Sequence, residues 1–256
     1  MNRKDLLPVL LVLLLAVISV STAVFGQPTG QTTPQAYLPI VYKPLPTNMP
    51  TPTVAPTPTV PAGPTPGNNS GKLVNGSFEN GWTTVAYGNQ IPNGWTVTWL
   101  EPGDALYDGS NTVTGICECV HKLDWQLPPS QRPGGTDALI LDGVAVYKVF
   151  SPQIFGLEMR QTVTGLAPGE NWRLTVPIRV HLNGETDPWG AQTYVEVNGI
   201  GQWKNGFEMG DQQWYDHILD FTIPANGTIE VIIRFQNKWL GTKDFFIDNL
   251  RLEKLP

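Results

Sequence analysis

Residues 172–180 read W-R-L-T-V-P-I-R-V, and every second side chain in this stretch is apolar. The same alternation recurs in residues 229–235, I-E-V-I-I-R-F. Successive side chains of a strand point to opposite faces, so a period of two predicts half-buried β-strands. No stretch has the i, i+3, i+4, i+7 apolar spacing of an amphipathic helix. Because turn sequences such as G-L-A-P-G (165–169) separate the strands, the sequence predicts an all-β sandwich with the apolar sets inside.

The composition of the 256 residues excludes several classes of protein. The 16 Lys and Arg residues face 22 Asp and Glu residues, a formal net charge of −6. Nucleic-acid-binding proteins concentrate basic residues, so we expect no nucleic acid partner. Two cysteines are too few for a disulfide framework or a four-cysteine zinc site. The remaining class is a protein that folds around an apolar core.

The first 26 residues have the pattern of an export signal. Arg3 and Lys4 precede an apolar run over residues 6–18, and small residues follow it. This order is typical of a signal peptide that is removed on secretion. Residues 6–25 also match the ~20 residues that cross a bilayer, so an uncleaved membrane anchor is the alternative. Both interpretations predict a secreted or cell-surface protein.

Residues 27–70 are expected to form a spacer without a fold of its own. They hold half of the 24 prolines of the chain, and residues 51–67 repeat proline and threonine. Proline fixes φ and has no N–H group, so the repeat favours an extended, Pro/Thr-rich disordered linker. The folded domain is then residues 71–256, behind a signal segment (1–26) and this linker.

Four segments of the folded part resemble one known family. They are L-V-N-G-S-F-E-N-G-W (73–82), I-P-N-G-W (91–95), R-Q-T-V-T-G-L-A-P-G (160–169) and F-F-I-D-N-L-R-L-E (245–253). In this order they are similar to carbohydrate-binding modules of the family 4/9 type, which have a galactose-binding-like fold. The resemblance implies a jelly-roll β-sandwich whose first and last strands pair. It also implies a structural calcium ion near that pairing and, often, a sugar groove on the concave sheet.

The resemblance further implies which residues bind the calcium ion. Glu79 and Asp248 lie in the two segments that are expected to pair, and Asn75 is close to Glu79 in the sequence. Calcium takes six to eight oxygen ligands, which carboxylates and backbone carbonyls supply. The alternative for Asn75 and Asp248 is that they only cap turns.

Aromatic and polar residues of the folded part form the candidate sugar site. Sugars are bound by aromatic rings that stack on their C–H faces and by polar groups that hold their hydroxyls. The predicted residues are Trp189, Trp203 and Trp239 in Gly/Asp-rich loops, and Tyr194, Arg179, Arg234 and Gln236 on faces opposite the apolar sets. For each tryptophan the alternative is burial under its loop. For the polar residues the alternative is a solvated face with ion pairs.

Cys117, Cys119 and His121 alternate with other residues in the stretch C-E-C-V-H. On a strand all three side chains would point to one face, an arrangement that suits a soft metal. A strained or intermolecular disulfide and ordinary unpaired thiols are the alternatives.

No recognisable catalytic motif accompanies these features. The chain contains no G-x-S-x-G, no H-E-x-x-H and no phosphate-binding loop. The sequence therefore predicts an exported, tethered, non-catalytic module that binds carbohydrate on a calcium-stabilised sandwich. The alternative is a structural or adhesive cell-envelope protein that uses the same sandwich for contacts with partner proteins.

Overall fold

The computed structural model describes residues 71–100 and 116–256. The strands of this part are β1 (Trp82–Thr84), β2 (Gln90–Pro92), β3 (Thr96–Leu100), β4 (Glu118–Leu123), β5 (Ala145–Ser151), β6 (Phe155–Val163), β7 (Asn171–His181), β8 (Ala191–Val197), β9 (Ile200–Asn205), β10 (Trp214–Thr222), β11 (Ile229–Asn237), β12 (Lys243–Ile247) and β13 (Arg251–Lys254). One short helix, α1 (Gly206–Met209), and three 3₁₀ turns (Ala86–Gly88, Asp124–Gln126 and Pro129–Gln131) complete it. The prediction of an all-β fold is confirmed.

The predicted export signal and linker lie outside the described residues. Within the described ranges, the structure contains no helix with the length and hydropathy of a membrane span.

The strands form two antiparallel sheets and one small hairpin of β1 and β2. One sheet has six strands in the order β10-β7-β12-β5-β4, with β13 also paired to β7. The other has five strands in the order β3-β6-β11-β8-β9. From β5 to β8, and again from β9 to β12, consecutive strands alternate between the two sheets. This alternation is the arrangement of a jelly-roll β-sandwich.

The space between the two sheets is filled by apolar side chains. Leu174 of β7 and Val231 of β11 are fully buried there, as the alternation in the sequence predicts. Phe245 of the six-stranded sheet contacts Phe155 and Phe235 of the five-stranded sheet, with ring centroids 6.2 and 5.4 Å apart. Burial of one such side chain stabilises the fold by roughly 1.5–3 kcal/mol. The apolar faces of β7 and β11 therefore hold the sandwich together.

The outer face of the six-stranded sheet is covered by residues 124–140, which we call the covering segment. Its apolar side chains form a cluster with the sheet: Leu127, Leu139, Ile140, Val146 and Phe246. Arg179 of β7 anchors the segment through an ion pair with Asp137 and a hydrogen bond to the Ala138 carbonyl. The Arg179 side chain is only 4% exposed as a result. The part of the polar face of β7 around Arg179 is therefore covered and not solvated.

The first and last segments of the domain do not pair as strands, contrary to the expectation from the family resemblance. Residues 73–79 form turns, and Asn75 and Phe78 have positive φ angles. A backbone hydrogen bond from Leu250 N to Gly76 O connects this segment to the C-terminal strands. β12 and β13 pair with β7 instead, one after the other. Positive φ angles are incompatible with a regular strand ladder, which explains the difference.

Candidate functional site

The outer face of the five-stranded sheet carries a row of side chains that crosses all five strands. The strand registers place these residues side by side in the order Thr98, Glu158, Arg234, Tyr194 and Trp203. Neighbouring strands are ~4.8 Å apart, so the row is about 19 Å long. We call this set the aromatic row. It brings together three of the predicted sugar-binding residues: Arg234, Tyr194 and Trp203.

Contacts between neighbours hold the aromatic end of the row in place. The rings of Tyr194 and Trp203 have centroids 4.9 Å apart. The guanidinium of Arg234 lies 5.0 Å from the centre of the Tyr194 ring. Paired rings and a cation over a ring face both favour one ring orientation. The half-buried rings therefore present a pre-positioned aromatic surface.

The Tyr194 hydroxyl is also fixed by its surroundings. Gly201 of β9 leaves the space that this hydroxyl occupies, because a side chain at position 201 would collide with it. Burial raises the pKa of Tyr194, and a hydrogen bond to Glu196 raises it further. The hydroxyl is therefore neutral at physiological pH and keeps both its proton and its lone pairs.

The middle of the row is a buried carboxylate between two arginines. The Glu158 side chain is 4% exposed, and its Oε2 atom accepts a hydrogen bond from Arg234 Nε at 2.8 Å. Its Oε1 atom accepts from Arg160 Nη2, also at 2.8 Å. Arg160 also pairs with Glu230 at 2.6 Å. Because both Glu158 oxygens are engaged, the carboxylate positions Arg234 next to the two rings.

Gln236 lies two residues after Arg234 on β11, toward the loop that contains Trp239, and its side chain is buried. The register places it beside Gln192, whose Nε2 atom donates to Gln236 Oε1 at 2.5 Å. Both glutamines are less than a tenth exposed. The side-chain carbonyl of Gln236 is therefore already hydrogen-bonded to Gln192 and is not free for a ligand. The two glutamines instead fix the sheet surface beside the aromatic row.

Trp189 and Trp239 lie at the end of the same sheet. Trp189 precedes β8 and Trp239 follows β11, and the two residues are 44% and 45% exposed. Lys238 N donates to Gly190 O at 2.9 Å, which ties the two loops to each other. Both tryptophans are therefore exposed, in adjacent loops, and the alternative of burial under the loops does not apply to them.

Two predicted residues lie elsewhere than expected. Trp203 belongs to strand β9 and not to a loop, because Asn198 and Gly199, both with positive φ, form the two-residue turn of the β8–β9 hairpin. The dipeptide Asn-Gly is a strong hairpin signal that could have revealed this strand. Arg179 lies on the other sheet, under the covering segment, so it does not face the same surface as Arg234.

Several residues of this face were not predicted from the sequence. Glu158, Arg160, Gln192 and Thr98 all contribute to it. The polar alternation of E-M-R-Q-T in β6 is a signal for Glu158 and Arg160. Only the strand register reveals that these residues lie beside Arg234.

Of the three predicted calcium ligands, Glu79 and Asp248 bind the same backbone segment, residues 141–145. Asp248 Oδ2 accepts hydrogen bonds from the N–H groups of residues 141 and 142, at 2.7 and 3.0 Å. Glu79 Oε1 accepts from residues 144 and 145, at 2.8 and 2.7 Å. Asn75 instead caps the N-terminal turn, where its Oδ1 atom accepts from Asn80 N at 2.8 Å.

The chemistry of this carboxylate pair fits calcium only in part. Burial raises the pKa of Asp248 well above its ordinary value, and nearby Asp142 acts in the same direction. A cation beside the two carboxylates would favour their ionised forms. In residues 71–100 and 116–256, however, no three His, Cys, Asp or Glu side chains are grouped closely enough to hold a metal. A calcium ion at Glu79 and Asp248 would therefore take most of its ligands from backbone carbonyls.

The Cys-x-Cys-x-His stretch is part of the core. Cys117 and Cys119 are free, buried thiols, and burial raises the pKa of both. The His121 ring stacks on Trp82 with centroids 4.2 Å apart, and burial lowers its pKa to about 4. The structure agrees with ordinary thiols, since the two cysteines are not bonded to each other and neither is exposed to form an intermolecular disulfide.

No protein-family model matches the sequence, and no curated protein matches it. Among solved structures, the chain is similar to a family 61 carbohydrate-binding module in complex with β-1,4-galactotriose, with a TM-score of 0.46 and 16% identity over 72% of this chain and 98% of that chain. It is also similar to a family 4 carbohydrate-binding module, with a TM-score of 0.36 and 13% identity over 71% of this chain and 98% of the other. A third similar structure is the enzymatically active domain of tailspike protein 4 from bacteriophage CBA120, with a TM-score of 0.44 and 13% identity over 75% of this chain and 22% of that one.

Proposed function

We propose that residues 71–256 form a non-catalytic module that binds an oligo- or polysaccharide along the aromatic row. The observation that carries this proposal is the ring pair of Tyr194 and Trp203 beside Arg234 on one sheet face. Aromatic rings pack against the C–H faces of sugars, and a guanidinium donates hydrogen bonds to their hydroxyls. Trp189 and Trp239 extend the binding surface at the loop end of the sheet.

The size of the surface favours a chain of sugars over a single one. The aromatic row alone is about 19 Å long. A monosaccharide would leave most of it in water, whereas an oligosaccharide would contact the rings and the polar middle together. The ligand class is therefore an extended glycan.

The central carboxylate supports binding without hydrolysis. A glycosidase uses two carboxyl groups, one as general acid and the other as base or nucleophile. Glu158 is held by Arg160 and Arg234 through both oxygens, so neither oxygen is free for proton transfer or attack. Its contribution to binding is to orient Arg234.

The proposal includes the setting of the module. Residues 1–26 would direct export, and residues 27–70 would hold the module away from the cell surface or from a neighbouring domain. A calcium ion at Glu79 and Asp248 would stabilise the fold. The support for these parts is the sequence pattern and the family resemblance.

Affinity electrophoresis on a panel of polysaccharides tests the proposal. At least one glycan should retard the protein, and Trp203→Ala should weaken its binding at least several-fold, because loss of an aromatic anchor costs about 1–2 kcal/mol. Trp189→Ala and Trp239→Ala should weaken the binding of longer glycans more than the binding of short ones. Trp125→Ala is the matched control. Trp125 is 67% exposed and lies in the covering segment, over the other sheet.

Each alternative has its own result in this assay. If no glycan retards the wild-type protein, the structural or adhesive interpretation replaces the proposal. If the Trp189, Trp203 and Trp239 variants all bind a glycan as well as the wild type does, the aromatic row is not the site. Release of reducing sugar would contradict the non-catalytic assignment.

A further inference from the structure

A cavity lies between the covering segment and the outer face of the six-stranded sheet. Its volume is about 300 Å³, at the lower end of the range for small-molecule sites. Phe246, Leu127 and Leu139 form its apolar walls, while Lys122, Lys148 and His181 are among its polar residues. The aromatic row lies on the opposite sheet, so this cavity is separate from the proposed glycan surface.

The cavity is built from fixed parts. Trp214 Nε1 donates to Ala138 O at 3.0 Å, and Arg132 Nε donates to Leu127 O at 2.9 Å. Together with the ion pair between Arg179 and Asp137, these bonds hold the covering segment on the sheet. A ligand would therefore enter a preformed site and would not need to order a loop.

Most polar groups of the cavity already have partners. Lys148 Nζ pairs with Asp244 Oδ1 at 2.6 Å and lies 4.1 Å from the centre of the Phe150 ring. The second oxygen of Asp244 accepts a hydrogen bond from Asn183 at 3.1 Å. The charges of Lys148 and Asp244 cancel, so this pair offers little to an ionic ligand.

Three side chains of the cavity keep unused hydrogen-bond donors, and one of them is Gln126, whose Oε1 accepts from Leu123 N while its Nε2 has no partner in the described residues. Lys122 has no ion-pair or hydrogen-bond partner in the described part of the chain. It is opposite Val146 in the β4–β5 pairing, two residues along from the pair of Val120 and Lys148. Arg179 Nε donates to His181 Nε2 at 3.1 Å, which places the proton of the neutral imidazole on Nδ1. The cavity therefore offers a ligand one positive charge, one side-chain amide N–H2 and one ring N–H, next to an apolar wall.

We propose that this cavity binds a sugar residue that carries a carboxylate, such as a uronic acid. The single free charge of Lys122 matches one carboxylate, and a hydrogen bond to a charged acceptor is stronger than one between neutral groups. The apolar wall of Phe246 and Leu139 packs against the C–H face of the sugar ring. A multiply charged anion such as phosphate fits poorly, because the site has one unpaired cation and the protein is acidic overall.

Side-chain NMR of the histidines in the full chain provides a direct test. The protein has three histidines, and His121 and His217 are buried in the core, so they serve as internal controls. Glucuronate and galacturonate at millimolar concentration should shift the ring signals of His181 alone. Glucose and galactose should cause no shift, and acetate should bind more weakly than the uronates because it does not reach the apolar wall.

Variants connect the shift to the cavity. Lys122→Met should raise the Kd for glucuronate at least about tenfold, whereas Lys72→Met, an exposed lysine outside the cavity, should leave it unchanged. Trp203→Ala should also have no effect, which separates this proposal from the glycan surface. No shift of His181 with either uronate, or equal shifts with glucose, would overturn the proposal. Equal affinity for acetate and glucuronate would overturn the sugar specificity, and tighter binding of phosphate would overturn the choice of ligand.

Discussion

The ion-pair network in the aromatic row is expected to stabilise the fold as well as bind ligand. We predict that Arg234→Met lowers the free energy of unfolding because it leaves the buried Glu158 carboxylate with one arginine in place of two. The two side chains are 15% and 4% exposed, so solvent cannot replace the lost partner at Oε2. Methionine keeps most of the packing volume, which restricts the change to the charge and its hydrogen bond.

The magnitude follows from the contacts that are lost. A hydrogen bond to a charged group contributes about 1.5–3 kcal/mol, and a cation over a partly exposed ring about 0.5–1 kcal/mol. Arg160 still holds Oε1, so we expect a total in the lower half of the summed range, about 2–3 kcal/mol. For a domain of this size, that loss lowers Tm by about 4–12 °C.

Thermal unfolding and urea titration of both proteins measure this difference. Arg173→Met is the control, because Arg173 also pairs with a carboxylate on a neighbouring strand, Asp220, through two hydrogen bonds of 2.7 and 2.8 Å, but on an exposed surface. Exposed pairs contribute little, so the control should leave Tm unchanged within error. If Arg234→Met and Arg173→Met have equal effects, burial of Glu158 does not give the network its strength, and our reasoning is wrong.

Two further predictions concern protons and metal. Burial, with a smaller effect from Lys204, lowers the pKa of His217 to about 4, so between about pH 6.5 and pH 4 the unfolded chain binds a proton that the folded one does not. The stability of the wild-type protein should therefore fall as the pH falls from about 6.5 to about 4. In thermal unfolding, Tm of His217→Gln should fall less over this range. An equal fall in both proteins would show that His217 is not the group responsible. For calcium, removal of the ion by a chelator should lower Tm, by the equivalent of about 2.7 kcal/mol at a hundredfold excess over Kd. Asp248→Asn should abolish that shift, and an unchanged Tm in the wild-type protein would exclude a stabilising calcium ion.

The sequence predicts the strands well because burial has a period that can be read locally. The alternation in β7 and β11 identifies which side chains enter the core, and the structure buries them as expected. The same reasoning fails at Trp203, because G-Q-W-K-N-G (201–206) has the composition of a loop, whereas residues 201–205 belong to strand β9. β9 exists because the turn at residues 198–199 returns the chain along β8, and pairing outweighs the weak local preference.

The candidate site was predicted only in part, for a related reason. Tyr194, Arg234 and Trp203 were recognised by residue type, and they do come together on one surface. The sequence predicts Arg179 in the same site, whereas the structure shows it under the covering segment on the other sheet. Alternation tells which face of its own strand a residue occupies, but it does not tell which sheet the strand joins.

The sequence alone therefore determined the fold class, the faces of the long strands and the residue types available for a ligand, because periodicity and composition are local properties of the chain. The tertiary structure decided which of these residues lie next to one another. The register of β6, β8, β9 and β11 placed Glu158, Arg234, Tyr194 and Trp203 in one row. The covering segment buried Arg179 and enclosed Lys122 in a cavity. These contacts join residues that are distant in sequence, so they arise from strand order and packing, which no local pattern encodes.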